Sequence, residues 1–222
     1  SYQYKIKENL LMTGEIELEY EPDSFVGPLN LQKLKSIEAC LVDELPGRFF
    51  DLSYINHISK YHGGIPKKQW FMSAKGTLHR VGRFLNFATE ETLTPPFQDS
   101  WLHSDQDIRL DWSWDYIQGI ANISEGCGVF LRPFAILYSG PHHPDEMQVK
   151  YADLLCFSFK EEGSPRVVVW YNEQALTEHF RCKAAGLDTT WDVELSNFTE
   201  EVATTFDDFL TLLREHREDL DK

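Results

Sequence analysis

The feature that most constrains the fold is a run of four apolar residues at positions 167–170. Because neighbouring side chains of a strand point to opposite faces, such a run requires cover on both faces of a sheet. A second apolar stretch lies at residues 152–159, and the connection between the two is charged and contains glycine and proline. We therefore predict a hairpin of strands 152–159 and 166–171, with the second strand central and covered.

Two helices are predicted upstream of this hairpin. Asn30 is a favourable N-cap, and apolar residues recur from there to Leu45 at three- and four-residue spacing. The same spacing recurs over residues 52–61. Gly63 and Gly64 then stand where a left-handed C-terminal cap would fall.

A third helix is predicted near the C-terminus. Asn197, with Glu200 three positions later, fits an N-cap arrangement. The apolar stripe assigned to this helix comprises Val202, Phe206, Phe209, Leu210 and Leu213. Residues 81–87 and 129–137 are rich in the aromatic and β-branched side chains typical of strands.

The order of these elements indicates the fold class. Helices come first, strands follow, and one helix closes the chain, without the alternation that builds a parallel sheet. We predict an α+β fold with N-terminal helices, a mostly antiparallel curved β-sheet and a C-terminal amphipathic helix packed on it. Residues 1–28 are predicted to form an extension or a hairpin that turns at Thr13 and Gly14, and residues 29–222 a single domain.

The net charge of −15 excludes several classes of function as first choices. Nucleic-acid binding and peripheral membrane binding both depend on cationic groups. No apolar run reaches the length of a membrane-spanning helix, and residues 1–10 lack a basic stretch followed by an apolar one. The expectation is a cytoplasmic protein that contacts neither nucleic acid nor membrane directly.

The cysteines support the same compartment. They are widely spaced, without a Cys-x-x-Cys pair, at Cys40, Cys127, Cys156 and Cys182. We interpret them as reduced thiols of the core, in preference to a disulfide or metal framework.

The sequence offers little evidence of catalysis. His142 and His143 lie in a loop with neighbouring acids and could contribute to a metal site, but adjacent residues of an extended chain point in opposite directions. No Gly-x-Ser-x-Gly nucleophile elbow is present. We predict no catalytic residue, no metal and no cofactor, and keep a carboxylate- or metal-dependent hydrolase as a less favoured alternative.

Charge is distributed unevenly along the chain. Residues 60–83 carry six cations and no acid, a balance of +6 that could bind an anion but is better explained by pairing with acids or by hydration. Residues 187–222 carry eleven acids against three bases, a balance of −8. A solvated helix face and a polar tail are the favoured interpretation of that block.

The segment 99–115 has the clearest binding character. It contains five acids against one base and three interleaved tryptophans. Acidic groups steer a basic partner, and aromatic side chains supply buried area at low entropy cost. The predicted partner-binding residues are Asp105, Asp107, Asp111, Trp112 and Asp115, although the same segment could instead pack on the sheet with only its carboxylates in water.

Several short pieces resemble those of one superfamily, in the same order. They are Leu45-Pro46, the Tyr-His-Gly-Gly-Ile-Pro sequence at 61–66, Val-Gly-Arg-Phe-Leu at 81–85, Pro133-Phe134-Ala135, Asp-Leu-Leu-Cys-Phe at 153–157, Val-Val-Val-Trp at 167–170, Val202-Ala203 and Phe-Asp-Asp-Phe-Leu at 206–210. This series is similar to that of the SUKH superfamily, which groups bacterial immunity proteins with fungal cell-wall (glucan) synthesis regulators of the Smi/Knr type. The resemblance covers about residues 31–213.

The resemblance implies a binding protein. It would be a cytoplasmic immunity protein that neutralises a cognate polymorphic toxin, a basic nuclease by preference, through direct contact. It would act as a monomer or weak dimer. The alternative that the resemblance allows is a regulatory scaffold in cell-wall synthesis or signalling. The motif residues have structural explanations, with Gly63 and Gly64 forming a helix stop and tight turn, Trp170 and Phe209 packing the core, and Pro133 marking a bend or an edge position.

Overall fold

The computed structural model describes residues 16–87, 114, 130–138, 152–187 and 198–220. The helices are α1 (Leu31–Glu44), α2 (Leu52–Lys60), α3 (Asn172–Ala184) and α4 (Phe206–Leu212), followed by a short 3-10 helix (Arg217–Leu220). The strands are β1 (Trp70–Met72), β2 (Leu78–Phe84), β3 (Leu131–Tyr138), β4 (Leu154–Ser158), β5 (Arg166–Trp170) and β6 (Thr199–Ala203). The α+β prediction is confirmed.

The six strands form one antiparallel sheet in the order β1-β2-β3-β4-β5-β6. Each strand therefore pairs with its neighbour along the sequence. The predicted hairpin is β4–β5, in which Phe157 pairs with Val167 and Leu154 with Trp170. Strand β5 has β4 on one side and β6 on the other, and Trp170 is fully buried, which confirms the prediction of a central, covered strand.

The sheet curves until its two ends meet. The backbone N–H of Ala74, in the β1–β2 turn, donates to the carbonyl of Glu201 in β6 over 3.0 Å. Register shifts in the β2–β3, β3–β4 and β5–β6 pairings mark β-bulges, which increase local twist. Pro133 lies at the second of these irregularities, where a strand tolerates a missing N–H.

The outer edge of β1 is covered by the end of the chain. Trp70 and Arg214 exchange backbone hydrogen bonds of 2.9 and 2.7 Å, and Gln69 N–H also donates to the Arg214 carbonyl. An edge strand with unpaired backbone groups would offer a template for aggregation. The segment that follows α4 pairs with β1 at Trp70 and so removes this template.

Aromatic side chains fill the space between the sheet and helices α2 and α4. Phe134 and Phe157 stack with ring centroids 4.4 Å apart. Tyr54 of α2 meets Phe157 edge-on at 4.8 Å and Phe206 of α4 at 5.3 Å. All four rings are buried, as is Phe209, so the aromatic content of the sequence is used to build the core.

The first two helices begin where the sequence predicts. The Asn30 side chain accepts a hydrogen bond from the backbone N–H of Lys33 at the start of α1. Asp51 accepts from Ser53 N–H at the start of α2. Gly63 follows α2 with a φ of +68°, a left-handed conformation that suits glycine.

The predicted start of the last helix is wrong. Glu200 and Val202 lie in β6, paired with β5, and the helix begins only at Phe206. Its N-cap is Thr205, whose hydroxyl accepts from Asp208 N–H over 3.1 Å. The β-branched residues before Thr205 favour an extended strand, and this tertiary pairing overrides the local Asn-x-x-Glu pattern. Asn197 lies outside the described residues.

Helix α3 was not predicted, because it lacks an apolar stripe. Its buried residues are only Asn172, Ala175 and Cys182. The carboxylate of Asp153, from the start of β4, accepts a 3.0 Å hydrogen bond from the Asn172 N–H. The helix is thus capped by a residue distant in the sequence, which no local pattern reveals.

Residues 16–29, which we call the strap, pack on the end of α2 and the turn after it. Glu21 N–H donates to the Ile65 carbonyl over 2.8 Å, and Ile65 N–H donates to the Ser24 hydroxyl over 3.0 Å. The glycine pair permits this approach: a Cβ on Gly63 would lie 2.7 Å from Val26, and one on Gly64 would lie 2.5 Å from the Tyr20 ring. The turn predicted at residues 13 and 14 lies outside the described residues.

Candidate functional site

The predicted partner-binding residues Asp105, Asp107, Asp111, Trp112 and Asp115 lie outside the described residues. Trp114, the last residue but one of the same acidic segment, is described and is 8% exposed. The burial of Trp114 agrees, at this one residue, with the alternative prediction that the segment packs on the sheet.

Trp114 is fixed at the end of β2. Its backbone N–H donates to the Asn86 carbonyl over 2.6 Å. Its ring stacks against Phe87 with centroids 6.4 Å apart and an interplanar angle of 17°. Asp115 follows Trp114 directly and Trp112 precedes it by two positions, so this contact attaches the chain next to these predicted residues at one defined point of the fold.

His62 connects the same point to the strap. The backbone N–H of Phe87 donates to Nε2 of His62 over 2.8 Å, and Nδ1 lies 3.0 Å from the Gly27 carbonyl oxygen. A carbonyl can only accept, so Nδ1 carries the proton and Nε2 is the acceptor. These two partners fix a neutral imidazole, and burial lowers the pKa of His62, against an opposing hydrogen bond to Gly27.

A second buried histidine contacts the strap from α2. Nε2 of His57 makes a short hydrogen bond with the Tyr20 hydroxyl. The imidazole is also surrounded by the rings of Tyr61, Phe84 and Phe206, at centroid distances of 5.0 to 5.7 Å. Burial, followed by the positive charge of Lys60, lowers the pKa of His57 to about 4.

The cationic segment 60–83 is largely engaged within the fold. Lys60 pairs with Glu17 over 3.4 Å, and Lys67 pairs with Glu19 over 3.1 Å. Arg80 bonds the Gln69 side chain and lies between the rings of Trp70 and Tyr138. Arg83 is buried. These contacts confirm that acids of the same chain neutralise part of the segment, as the sequence favoured.

A polar cluster joins the two ends of the curved sheet around Glu200, which is 7% exposed. Its carboxylate accepts from the Tyr171 hydroxyl over 2.6 Å, from the Thr77 hydroxyl over 3.1 Å, and from Ser73 in a short hydrogen bond. Burial alone would raise the pKa of Glu200, but these hydroxyls and the nearby His79 hold it below its ordinary value.

The Glu200 cluster has the residue types of an acid–base site but is fully occupied by internal partners. Nε2 of His79 lies 3.4 Å from the Tyr171 hydroxyl, and burial lowers the pKa of His79 despite the charge of Glu200. Each carboxylate oxygen already accepts hydrogen bonds from other members of the cluster. We therefore assign the cluster a structural role, which is to join the two ends of the sheet. No local pattern signals this cluster, because its members come from the β1–β2 turn, β2, the end of β5, and β6.

The C-terminal acids do not all lie on a solvated face. Glu200 is buried, and Glu201 pairs with Arg166 over 2.8 Å. Asp207 and Asp208 occupy the first turn of α4, where negative charge complements the helix dipole. Glu215, Glu218 and Asp219 are exposed, so the predicted polar face is confirmed for the last part of the block.

The cysteines agree only in part with the expected core thiols. Cys156 and Cys182 are buried, whereas Cys40 is exposed on α1. The prediction of a core position is therefore wrong for Cys40, which lies outside the buried stripe of Leu34, Ile37 and Leu41. Cys127 lies outside the described residues, as do His142 and His143.

Within the described ranges, no three metal-ligating side chains are grouped closely enough to hold an ion. Of the helices in the same ranges, none combines the length and the apolar character needed to cross a bilayer. The chain matches no protein-family model, no curated protein and no solved structure.

Proposed function

We propose that the chain is a cytoplasmic immunity-type protein that neutralises a basic toxin, a nuclease by preference, through direct contact. The observation that carries this proposal is the acidic, tryptophan-rich segment 99–115, attached to the end of β2 through Trp114. An attached acidic segment combines electrostatic steering with a fixed position on a folded domain.

Three further features support a binding role. The pieces that resemble the SUKH series fall on the α1 end, the α2 turn, the consecutive strands β2 to β6, and α4. Most of their residues pack the core or form turns, and Asp153, Asp207 and Asp208 lie at helix N-termini, so these residues need no reaction to explain them. The net charge of −15 also favours a cationic partner over a nucleic acid or a membrane.

The decisive experiment is co-purification with the product of the adjacent gene. If that product has a basic C-terminal domain, we expect a 1:1 complex whose association slows steeply with salt. Size-exclusion chromatography and stopped-flow mixing at two ionic strengths would measure both properties. Absence of a complex at low salt would exclude the proposal.

A matched pair of variants locates the contact. Changing Asp105, Asp107 and Asp111 to Lys should slow association about tenfold or more, because each reversal removes attraction and adds repulsion. The control changes Glu215, Glu218 and Asp219 to Lys, which alters net charge equally in the exposed C-terminal part. Equal slowing in both variants would show a general charge effect, and slowing only in the control would place the contact at the C-terminus.

A further inference from the structure

We propose that the strap is an acid-released latch, held closed by neutral His57 and His62. This inference is independent of the toxin partner, because it concerns a conformational change within the domain. Its consequence is that acid uncovers the apolar surface beneath the strap without unfolding the sheet.

The two histidines hold opposite ends of the strap. His57 contacts Tyr20 near its start, and His62 contacts the Gly27 carbonyl near its end. Val26 N–H also donates to the His62 backbone carbonyl over 3.2 Å. The strap is thus attached by side chains that can change charge in the acidic range.

Protonation is incompatible with the closed geometry of His62. An imidazolium has a hydrogen on both ring nitrogens, whereas Nε2 must accept from the Phe87 N–H. A second proton would set two donors against each other across 2.8 Å. Among the residues that the structure describes, no ionisable side chain shifts the pKa of this imidazole, and its polar contacts there are the Gly27 carbonyl and the Phe87 amide.

The apolar rings around His57 and the positive charge of Lys60 disfavour protonation of its imidazole. The strap contributes Tyr20, the end of α2 contributes Tyr61 and Lys60, and β2 and α4 contribute the apolar rings Phe84 and Phe206. Lys60 is the charged group among them and repels an imidazolium. Burial raises the pKa of the Tyr20 hydroxyl, so this group stays neutral and supplies no compensating charge.

The size of the effect follows from linkage. The pKa of His57 is near 6.5 when the strap is open and about 4 when the strap is closed. Acid therefore favours the open form only below about pH 6.5. Between pH 7.5 and 5.0 this difference increases the open population about 30-fold from His57 alone. His62 acts in the same direction, because its pKa is also lowered in the closed form.

Beyond the histidines, the strap is held by the burial of Leu18, Tyr20 and Val26, by hydrogen bonds to the Ser24 hydroxyl and carbonyl, and by further polar contacts. They include backbone hydrogen bonds from Glu21 to Ile65 and from Lys67 to Glu19, and two exposed ion pairs of Glu17 and Glu19. Strands β3 to β5, by contrast, are interior strands of the sheet with mostly buried side chains. Local opening at much lower free energy than global unfolding is therefore expected.

Hydrogen exchange of the full chain tests the latch. After correction for intrinsic rates, the amides of Glu21, Val26 and Lys67 should exchange at least about 30-fold faster at pH 5.0 than at pH 7.5. Amides of β4 and β5 should change much less. Unchanged strap protection would overturn the proposal, and so would equal acceleration of strap and core, which would indicate global unfolding.

Variants assign the effect to the two histidines. The double variant His57→Phe, His62→Asn retains an aromatic ring and an amide donor but cannot titrate, so its strap exchange should lose the acid acceleration. His216→Gln, at an exposed position, is the control and should behave as the unmodified protein. Persistence of the full acceleration in the double variant would refute the latch. If that variant does not fold, the strap-to-core comparison in the unmodified protein decides the matter.

Discussion

Removal of the Glu200 carboxylate should test whether the polar cluster holds the two ends of the sheet together. The side chain is almost fully buried and accepts hydrogen bonds from Ser73, Thr77 and Tyr171. A hydrogen bond to a charged group contributes about 1.5–3 kcal/mol, and a buried donor left without its partner costs about 1–3 kcal/mol. Because the three bonds share one acceptor, their contributions do not simply add.

We expect Glu200→Ala to lower the free energy of unfolding by about 3–4 kcal/mol. Glu200→Gln keeps the shape and one accepting oxygen, so its cost should be about 1–2 kcal/mol. The control is Glu201→Gln, on the neighbouring residue, which is exposed and pairs with Arg166 at the surface. A surface ion pair is worth about 0–1 kcal/mol.

Urea unfolding at pH 7, followed by circular dichroism, would measure these differences. The pH dependence provides a second signature, because the folded-state pKa of Glu200 is lowered. Its stabilising contribution is therefore present above the unfolded value of 4.5 and is lost as pH falls through the folded pKa. The difference in the free energy of unfolding between the unmodified protein and Glu200→Gln should accordingly become smaller in acid. A Glu200→Gln cost no larger than that of Glu201→Gln would refute the assigned role.

Two further substitutions test the packing. Trp170→Ala should lower the free energy of unfolding in urea by about 3–5 kcal/mol, because loss of this fully buried side chain leaves a cavity. An unchanged midpoint would mean that the side chain contributes no core packing. Gly63→Ala should cost more than Gly47→Ala, because both residues have positive φ but only Gly63 has atoms within 3 Å of the added methyl group. The conformational cost alone is about 1–2 kcal/mol, so equal midpoints in thermal unfolding would disprove the close seating of the strap.

Local patterns predict the parts of the fold that local physics controls. Asn30 caps α1, and the apolar run that ends at Trp170 is a central strand. Both could be predicted because helix capping and two-sided burial are indicated by residues close together in the sequence. The start of α4 was misassigned because pairing of β6 with β5 outweighs the pattern at Asn197 and Glu200. Helix α3 escaped prediction because its cap, Asp153, lies at the start of β4.

The polar contacts depend on tertiary structure still more strongly. Ser73 and Glu200 are 127 positions apart, and Tyr20 and His57 are 37 apart, so no spacing rule could pair them. Composition alone nevertheless identified the acidic segment, and Trp114 is the residue of that segment whose attachment the structure describes. The charge pattern thus predicts a binding character, and the attachment point requires coordinates.

The order of the sheet also has a consequence for how such a chain could diversify. Strands β2 and β3 are direct partners, yet residues 85–130 separate them, whereas only residues 159–165 separate β4 from β5. Loop-closure entropy grows with the logarithm of length, so the 46-residue connection costs only about 2 kcal/mol more than the seven-residue one. Insertions, deletions and charge changes in this connection that spare the buried residues Leu85, Phe87 and Trp114 would replace no residue of the paired strands. Natural selection could therefore change the acidic segment as rapidly as a partner changes, while the rest of the domain keeps its stability.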